Sequence, residues 1–300
     1  MKNRSGRILL SIFIPLIAAL TIGIFFSSPA ENRPYFTNPH SNPIVYAHMG
    51  GDGVWPGDTL YAYDKAAQLG IDGFDMDAHI TRDGQIILMH DESVNRTTDG
   101  NGQVEELTLA DIKLLDAAFK WSNDGGTTYP YRGKGIKVPT LEEVFLKYPQ
   151  MRYLVEIKLT KTPISQPLCD LIHKYNLQDN IIIASFHDDA MNSFRETCPD
   201  VATSAAKTEV TAFVLLSKIG LSGLISPKYQ SLQVPFEKSE TYGIPVMTKA
   251  FIQAAHAKNL MVETWTLDDP DLFKQYTSWG LDGIDTDRPD LIMQSLGKNK

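Results

Sequence analysis

Short apolar runs of strand type alternate with longer segments of helical period from Ile44 to the end of the chain. The short runs are bounded by turn-forming residues, and the longer segments repeat apolar residues every three or four positions. We interpret as strands residues 44–48, 73–79, 86–90, 153–159, 180–186, 201–206, 230–234, 260–266 and 283–286. The segments predicted as helices are residues 59–69, 140–148, 164–176, 188–197, 209–219, 248–258, 270–279 and 289–296. Asp58 and Thr140 are predicted as N-caps.

This alternation predicts an α/β fold with a parallel sheet and crossover helices. With close to eight such units over about 250 residues, the simplest architecture is a closed (β/α)8 TIM barrel. An open doubly wound sheet is the structural alternative, but no glycine-rich phosphate loop opens any of the helices. We therefore expect one TIM barrel over residues 44–300.

Residues 92–139 interrupt the alternation. Clusters of glycine with asparagine, aspartate or lysine at 99–102, 124–126 and 133–135 indicate turns. We interpret this segment as a small insertion after the second strand region. In a barrel it would follow the end of a strand and could cover the mouth, where active sites lie.

The first thirty residues have the pattern of an export signal. Three basic residues among the first seven precede an uncharged apolar run over residues 8–26. This run just reaches the roughly 18–20 residues that cross a bilayer, so residues 1–30 are either a cleaved signal peptide or a signal anchor. Both predict an exported protein, periplasmic or extracytoplasmic, that is either soluble after cleavage or associated with the membrane through residues 8–26. Residues 31–43 would form a linker.

The charge of the chain limits its partners. The formal net charge of -8 and the pI near 5.4 disfavour nucleic acid, and no protein partner is predicted. A small anionic substrate would need a local cluster of cations or a metal. The two cysteines, Cys169 and Cys198, could form one bond after export, but two buried thiols are the slightly favoured interpretation.

Ionisable residues lie at the carboxyl ends of several apolar runs, where a purely structural strand would stay hydrophobic. Asp75 and Asp77 are two positions apart and share one face of their strand, as do Glu156 and Lys158 on a later strand. In a barrel these faces converge on the mouth. The three carboxylates would then supply oxygen ligands to one divalent cation, Ca2+ or Mg2+, which would offset their mutual repulsion.

His48 and His90 end two of the runs and fit a general acid/base pair, because imidazole titrates near neutral pH. The cation would polarise phosphoryl oxygens, and Lys158 would add a point charge as negative charge builds up. A zinc site is disfavoured because no HExxH or cysteine-rich ligand set is present. His79 is interpreted as structural. Any one of these residues alone could be structural, so the prediction depends on their joint placement at strand ends.

At these residues the sequence resembles the glycerophosphodiester phosphodiesterase family, from Ile44 to Leu296. The strings that carry the resemblance are AHMGG (47–51), WPGDTLYAYDKAAQLGIDGFDMDAHITRDGQIILMHDESVNRTTDGNG (55–102), VPTLEEVF (138–145), YLVEIK (153–158), IIIASF (181–186), VETWT (262–266) and LDGIDTDRPD (281–290). The resemblance implies a (β/α)8 barrel, a divalent metal and hydrolysis of glycerophosphodiesters to glycerol 3-phosphate and an alcohol.

The resemblance also implies roles for individual residues. It places the catalytic histidines on His48 and His90, the metal carboxylates on Asp75, Asp77 and Glu156, and the phosphate-side lysine on Lys158. Two further substrate-binding candidates are Arg96, as a substitute cation, and Trp265, as an aromatic wall at the end of a late strand.

Three positions depart from the family pattern. Met49 stands where the family usually has arginine, Gly57 and Asp58 where it has Glu-Asn, and Asp75 where it has glutamate. Met49 removes a bidentate phosphate donor that a thioether cannot replace. We hypothesise that the missing arginine and glutamate form a charge pair, whose joint loss avoids an unpaired buried charge. Restoring arginine at position 49 alone would then not raise activity.

Two alternative functions stay open from the sequence. One is a phospholipase of C or D type acting on lysophospholipid head groups, with an apolar rim from four aromatic residues of the insertion, Phe119, Trp121, Tyr129 and Tyr131. The other is a barrel that binds phosphodiesters without turnover, which the residues at positions 49 and 57 suggest.

Overall fold

The computed structural model describes residues 21–37, 43–158 and 161–297. Eight parallel strands form a nearly closed barrel, and a ninth strand lies outside it. In chain order the strands are β1 (Ile44–His48), β2 (Gly73–Ile80), β3 (Ile86–Leu88), β4 (Arg152–Ile157), β5 (Ile181–Ala184), β6 (Ala202–Thr203), β7 (Ser231–Pro235), β8 (Met261–Trp265) and β9 (Gly283–Thr286). The predicted TIM barrel is confirmed.

The barrel closes between β6 and β7. The strand order around it is β6, β5, β4, β2, β1, β9, β8 and β7. The remaining gap between β6 and β7 is bridged by Ser204 and Ser231, and the Ala205 N–H donates to the Ser231 carbonyl at 2.8 Å. Because β6 has only two residues, closure on this side depends on these few backbone hydrogen bonds.

The apolar run at 86–90 does not form a barrel strand, although it has the composition of one. β3 pairs antiparallel with β2, and Ile86 lies opposite Ile80. The two strands are joined by a tight turn that contains Gly84 at φ +78°. Such a short connection cannot make the crossover that a parallel neighbour requires. His90 therefore reaches the mouth from a hairpin beside the barrel.

The helices follow the predicted pattern, with one correction at a cap. They are Pro34–Thr37, Leu60–Gln68, Leu109–Leu114, Leu141–Lys147, Ser165–Lys174, Asp188–Thr197, Lys207–Lys218, Lys249–His256, Pro270–Trp279 and Pro289–Ser295, with 3-10 turns at Val104–Glu106, Ser222–Leu224 and Lys238–Thr241. Thr140 caps its helix as predicted, with Glu143 completing a capping box. The prediction for Asp58 is wrong, because Thr59 accepts the Ala62 N–H and caps the first barrel helix instead.

Apolar side chains fill the amino-terminal half of the barrel interior. This inner cluster contains Tyr35, Ile44, Tyr46, Leu154, Ile182, Ala184 and Ala202. Tyr35 comes from the short helix that closes this end, where the Arg152 guanidinium donates to its backbone carbonyl at 2.5 Å. A larger cluster lies between the strands and the outer helices. The carboxylates of β2 and β4 lie in the carboxyl half, whereas Ser231, the first residue of β7, and Glu263 form a buried polar contact nearer the amino-terminal end.

Residues 92–139 have a small core of their own. Val94, Val104 and Ile112 pack with Val138 and with residues of the β3 hairpin. The backbone of Ala117 also donates to the carbonyl of Ile136 at 3.0 Å, which ties the middle of the segment to its carboxyl-terminal end. This packing holds the segment against the His90 side of the barrel mouth.

No helix within the described ranges is long and apolar enough to span a membrane. The predicted signal or anchor lies mostly in residues 1–20, which are outside the described residues, as is the end of the predicted linker at residues 38–42.

Cys169 and Cys198 form a disulfide, which corrects the favoured interpretation as free thiols. Their sulfurs are bonded at 2.09 Å and their Cα atoms are 5.7 Å apart. The bond links the helix Ser165–Lys174 to the residue after the helix Asp188–Thr197. The sequence could not decide this pairing, because it depends on how two neighbouring helices pack.

We expect reduction of this disulfide to lower the free energy of unfolding by about 3–4 kcal/mol, the loop-closure value for a separation of 29 residues. Urea unfolding of the oxidised protein and of the double variant Cys169→Ala/Cys198→Ala would measure the difference. Two free thiols in the unfolded, unreduced protein would contradict the bond.

Candidate active site

The barrel mouth collects the polar residues that end β1, β2 and β4. Met76 and Ala78 face the outer core, so Asp75 and Asp77 point into the barrel. The register aligns His48 with Asp75, and Asp77 with Glu156. The predicted convergence of these side chains on one end of the barrel is therefore what the structure shows.

Lys158 joins two of the three predicted metal carboxylates. Its Nζ lies 2.8 Å from Asp77 Oδ1 and 2.8 Å from Glu156 Oε2. Burial is the largest influence on the pKa of Asp77 and raises it, but the charges of Lys158, His48 and His90 together outweigh burial and lower the pKa. Burial raises the pKa of Glu156 despite the same lysine. The ammonium group thus compensates part of the buried negative charge.

Asp75 has no such close cation within the described ranges. Burial raises its pKa to about 7; the nearby charge of His48 opposes this shift, and the charges of Asp77 and Glu156 add to it. Only 8% of Asp75 is exposed, so solvent cannot screen these charges. A further cation at the mouth would favour its ionised form.

The carboxylate oxygens of Asp75, Asp77 and Glu156 are ligands of the kind that Ca2+ and Mg2+ prefer. Asp77 Oδ2 is buried and has no hydrogen-bond partner in the described part of the chain, so one ligand oxygen is available. Among the described residues, however, only Cys169, His173 and Cys198 bring three ligand atoms within 4.8 Å of one another, and two of these are the disulfide sulfurs. A cation between Asp77 and Glu156 would require the Lys158 ammonium to leave the place it occupies.

His48 is oriented by Asp287, which the sequence analysis did not single out. His48 Nδ1 lies 2.7 Å from Asp287 Oδ1. The Asp287 backbone N–H donates to the Asp268 carboxylate at 2.8 Å, which fixes the loop after β9. Burial lowers the pKa of His48, but the Asp287 hydrogen bond and the charges of Asp75, Asp287 and Asp77 raise it well above its ordinary value.

His90 has a similar carboxylate partner. Its Nδ1 lies 3.0 Å from Asp91 Oδ1, and Arg96 donates to both oxygens of Asp91 at 2.8 and 2.9 Å. Arg96 therefore lies near the site, but its guanidinium is engaged by Asp91. The His48 and His90 rings have centroids 6.4 Å apart and are nearly perpendicular, so the structure brings the predicted pair together.

Two further carboxylates lie inside the barrel. Glu263 accepts hydrogen bonds from Ser231 at 2.8 Å and Gln233 at 2.9 Å. Asp285 Oδ1 is buried with no partner among the residues described. Burial raises the pKa of Asp285 well above its ordinary value, and the charge of Asp75 adds to the shift. These residues extend the cluster of carboxyl groups below the mouth, and burial favours their neutral forms. Their positions within the apolar runs hid them from sequence analysis.

A pocket opens beside His90 where the chain departs from the family pattern. It encloses about 310 Å3, open solvent included, and is lined by Met49, Asp52, Gly57, Asp58, Leu88, Met89, His90, Arg96, Thr97, Ala117 and Val138. A Cβ added to Gly57 would lie 2.6 Å from Asp52 Oδ1. Asp52 thus occupies the space of a side chain at position 57, and an arginine restored at position 49 would have a carboxylate nearby.

The aromatic candidates have aromatic, cationic or backbone partners of their own. The Trp265 ring at the end of β8 lies 5.7 Å from that of Phe186, which is 49% exposed. The insertion aromatics mostly contact one another and Arg132, which lies over the rings of Phe119 and Tyr129. Trp121 donates to the Asp52 carbonyl at 3.0 Å, so it holds the loop after β1.

Buried His79 shares a strand face with Asp75 and Asp77, and burial lowers its pKa despite a hydrogen bond to the His90 backbone. Its contact supports the hairpin that carries His90.

Comparison with known proteins identifies relatives over nearly the whole barrel. The model of the "Glycerophosphoryl diester phosphodiesterase family" matches residues 48–291. A glycerophosphodiester phosphodiesterase of Caldanaerobacter subterraneus is 28% identical over 263 residues, which cover 85% of this chain and 98% of that protein.

Solved structures share the fold. A glycerophosphoryl diester phosphodiesterase domain from Mycobacterium tuberculosis superposes with a TM-score of 0.73 at 17% identity, covering 86% of this chain and 100% of that one. A phosphodiesterase of Oleispira antarctica, solved with the product sn-glycerol-3-phosphate, has a TM-score of 0.65 at 23% identity, covering 89% and 100%.

We expect Asp287→Asn to lower the pKa of His48, because it removes the carboxylate that stabilises the imidazolium. NMR titration of the histidine ring protons would measure this, with His48→Gln assigning the resonance. Asp91→Asn is the matched control, since Asp91 contacts His90 instead. An unchanged His48 titration in Asp287→Asn would contradict the contact.

Proposed function

The chain belongs to the glycerophosphoryl diester phosphodiesterase family and is a glycerophosphodiester phosphodiesterase, and we propose that it hydrolyses its substrate with His48 and His90 as an acid/base pair. The products are glycerol 3-phosphate and an alcohol. The substrate class is supported by the product found in the related Oleispira antarctica structure.

The observation that carries the acid/base proposal is the placement of the two imidazoles. Their ring centroids are 6.4 Å apart, each ring has a carboxylate at Nδ1, and both lie at one barrel mouth. A phosphodiester between them would have one imidazole near the attacking water and the other near the leaving oxygen. One accepts a proton from the nucleophile, and the other returns a proton to the alcohol.

Asp75, Asp77 and Glu156 would hold a divalent cation, Ca2+ or Mg2+, which when bound polarises the phosphoryl oxygens. This proposal is supported by the burial of Asp75 and by Asp77 Oδ2, for which the described residues supply no hydrogen-bond partner. The charge of Lys158 favours the ionised form of Asp77, and an ammonium that a bound cation displaces from between these carboxylates would be free to stabilise negative charge on the phosphate.

A lysophospholipid is the second candidate substrate. The exposed Phe186 ring next to Trp265 offers an apolar surface at the carboxyl ends of β5 and β8, suited to an acyl chain. Parallel assays with glycerophosphocholine and lysophosphatidylcholine would separate the two, because only an acyl-chain site favours the second.

We also propose that the protein is exported, as the basic and apolar pattern of its first residues predicts. The Cys169–Cys198 disulfide supports an oxidising compartment. Thiol trapping in intact cells that finds both cysteines reduced would contradict export.

We expect His48→Gln and His90→Gln each to lower kcat by roughly 10²–10⁴-fold, the usual contribution of a positioned acid or base. Release of glycerol 3-phosphate from glycerophosphocholine is the measurement. His256→Gln is a matched control, because His256 also pairs with a carboxylate, Asp282, but before β9 and therefore at the opposite end of the barrel. Full activity in either site variant would reject the acid/base assignment.

We expect Glu156→Gln to weaken binding of Ca2+ or Mg2+ at least about tenfold, because it removes one charged oxygen ligand. Calorimetric titration of the metal-free protein measures this without turnover. Glu142→Gln, which alters a surface glutamate paired with Lys174, should bind like the wild type. Equal affinity in Glu156→Gln, or full turnover in chelator, would exclude the proposed cation site.

A further inference from the structure

The chain just before the barrel is bound closely to the barrel body. The Ser27 hydroxyl donates to the Gly223 carbonyl at 2.5 Å and accepts from the Lys258 ammonium at 2.7 Å. The Ala30 N–H donates to the Lys258 carbonyl at 2.8 Å, and the Asn259 side-chain amide donates to the Ala30 carbonyl at 3.0 Å. This part of the chain is therefore built into the folded barrel.

These contacts lie at the end of the barrel opposite the mouth. Lys258 and Asn259 come just before β8, and Gly223 lies in the 3-10 turn Ser222–Leu224, which precedes β7. The amino ends of parallel strands form one end of a barrel, whereas the candidate site lies at their carboxyl ends. The preceding chain therefore leaves the barrel on the side that faces away from the two histidines.

Residues 21–26 are helical and expose apolar side chains on several sides. One side packs on the 3-10 turn, where a Cβ added to Gly23 would lie 2.8 Å from Leu224 Cδ2, so glycine permits the close approach. Phe25 is 82% exposed and Phe26 is 76% exposed, and Ile22 is also exposed. The barrel leaves these side chains uncovered, and a group of large exposed apolar residues marks an interaction surface.

Two more exposed apolar side chains lie at the same end of the barrel. Leu215 and Ile219 are four positions apart, in the helix Lys207–Lys218 and at its C-cap, and therefore share one face. Both are exposed, Ile219 at 67%. This helix leads into the turn on which residues 21–26 pack. We call the following residues the amino-terminal apolar face: Ile22, Phe25, Phe26, Leu215 and Ile219.

The sequence before this face indicates what covers it. Residues 8–20 carry no charge and are mostly apolar, and the basic residues Lys2, Arg4 and Arg7 precede them. Together with residues 21–26, they reach the roughly 18–20 residues that a bilayer requires. Contact with another protein needs no uncharged run of this length, so a lipid bilayer is the occupant that the chain favours.

We propose that residues 8–26 are retained in the mature protein and that the amino-terminal apolar face lies against a lipid bilayer, with the barrel mouth directed to the aqueous phase. The inference rests on the proposed export and goes beyond it, because cleavage after Ala30 would also give an exported protein. Such cleavage would remove Ser27 and leave the buried Lys258 ammonium without that acceptor. In the proposed orientation, a water-soluble glycerophosphodiester reaches the mouth directly.

Intact mass spectrometry and alkaline carbonate extraction test the retention of residues 8–26. The full chain, expressed in an export-competent bacterium, should stay in the membrane fraction after carbonate and should have a mass that includes residues 21–30. A water-soluble form that begins near Glu31 would overturn the proposal. A full-length chain that carbonate releases from the membrane would also overturn it.

Single-cysteine labelling tests the orientation, because the two cysteines of the chain are bonded to each other. An environment-sensitive fluorophore at Ile219→Cys should emit at shorter wavelength, and a lipid-attached quencher should reduce its emission, when the full chain is reconstituted in vesicles of phosphatidylethanolamine and phosphatidylglycerol. Phe186→Cys is the matched control, since Phe186 is also apolar and exposed but follows β5 at the mouth. Its label should respond as in water. Quenching at Phe186 but not at Ile219 would reverse the orientation and reject the proposal.

Dilution of the protein with excess lipid distinguishes a bilayer from a second copy of the chain. The Ile219 response should not change on dilution, whereas its loss would mean that another copy covers the face and would overturn the proposal. Reconstitution does not depend on export or hydrolysis, so the labels decide the docking face even where either of those proposals fails. Protease access to the barrel in intact spheroplasts reports on export alone.

Discussion

The compensation of buried negative charge at the barrel mouth is the constraint on which the site depends. Asp75, Asp77 and Asp285 are all nearly inaccessible to solvent and come from two strands on either side of β1. Buried carboxylates this close repel one another unless cations or protons offset the charge. Lys158 and His48 supply part of this compensation from neighbouring strands, and the proposed divalent cation would supply more.

The barrel separates this charge from the apolar core. Its amino-terminal half is filled by residues such as Tyr46 and Leu154, and it is closed by Tyr35 from the short preceding helix. The polar half faces the loops, where burial is incomplete and a substrate can enter. The scaffold thus places its ionisable groups where desolvation shifts their pKa values, while its stability comes from apolar packing on the other side.

Two of the three departures from the family pattern, Met49 and Gly57-Asp58, lie in one corner. Gly57 makes room for the Asp52 carboxylate, and Met49 and Asp58 line the same pocket beside His90. These substitutions leave the two histidines and their carboxylate partners intact. The corner therefore lies beside the two histidines that we propose as the acid/base pair without altering them.

The sequence by itself determined the eight-unit alternation and most helix bounds, because these follow from the periodicity of adjacent residues. It also determined that Asp75, Asp77, Glu156 and Lys158 converge, because parallel strands end at one edge of the sheet. Only the tertiary structure decided the pairing of His48 with Asp287, 239 positions away, the Cys169–Cys198 bond and the Asp52 position beside Gly57. It also showed that residues 86–88 form a hairpin strand. Such contacts depend on chain closure and side-chain packing, which no local pattern encodes.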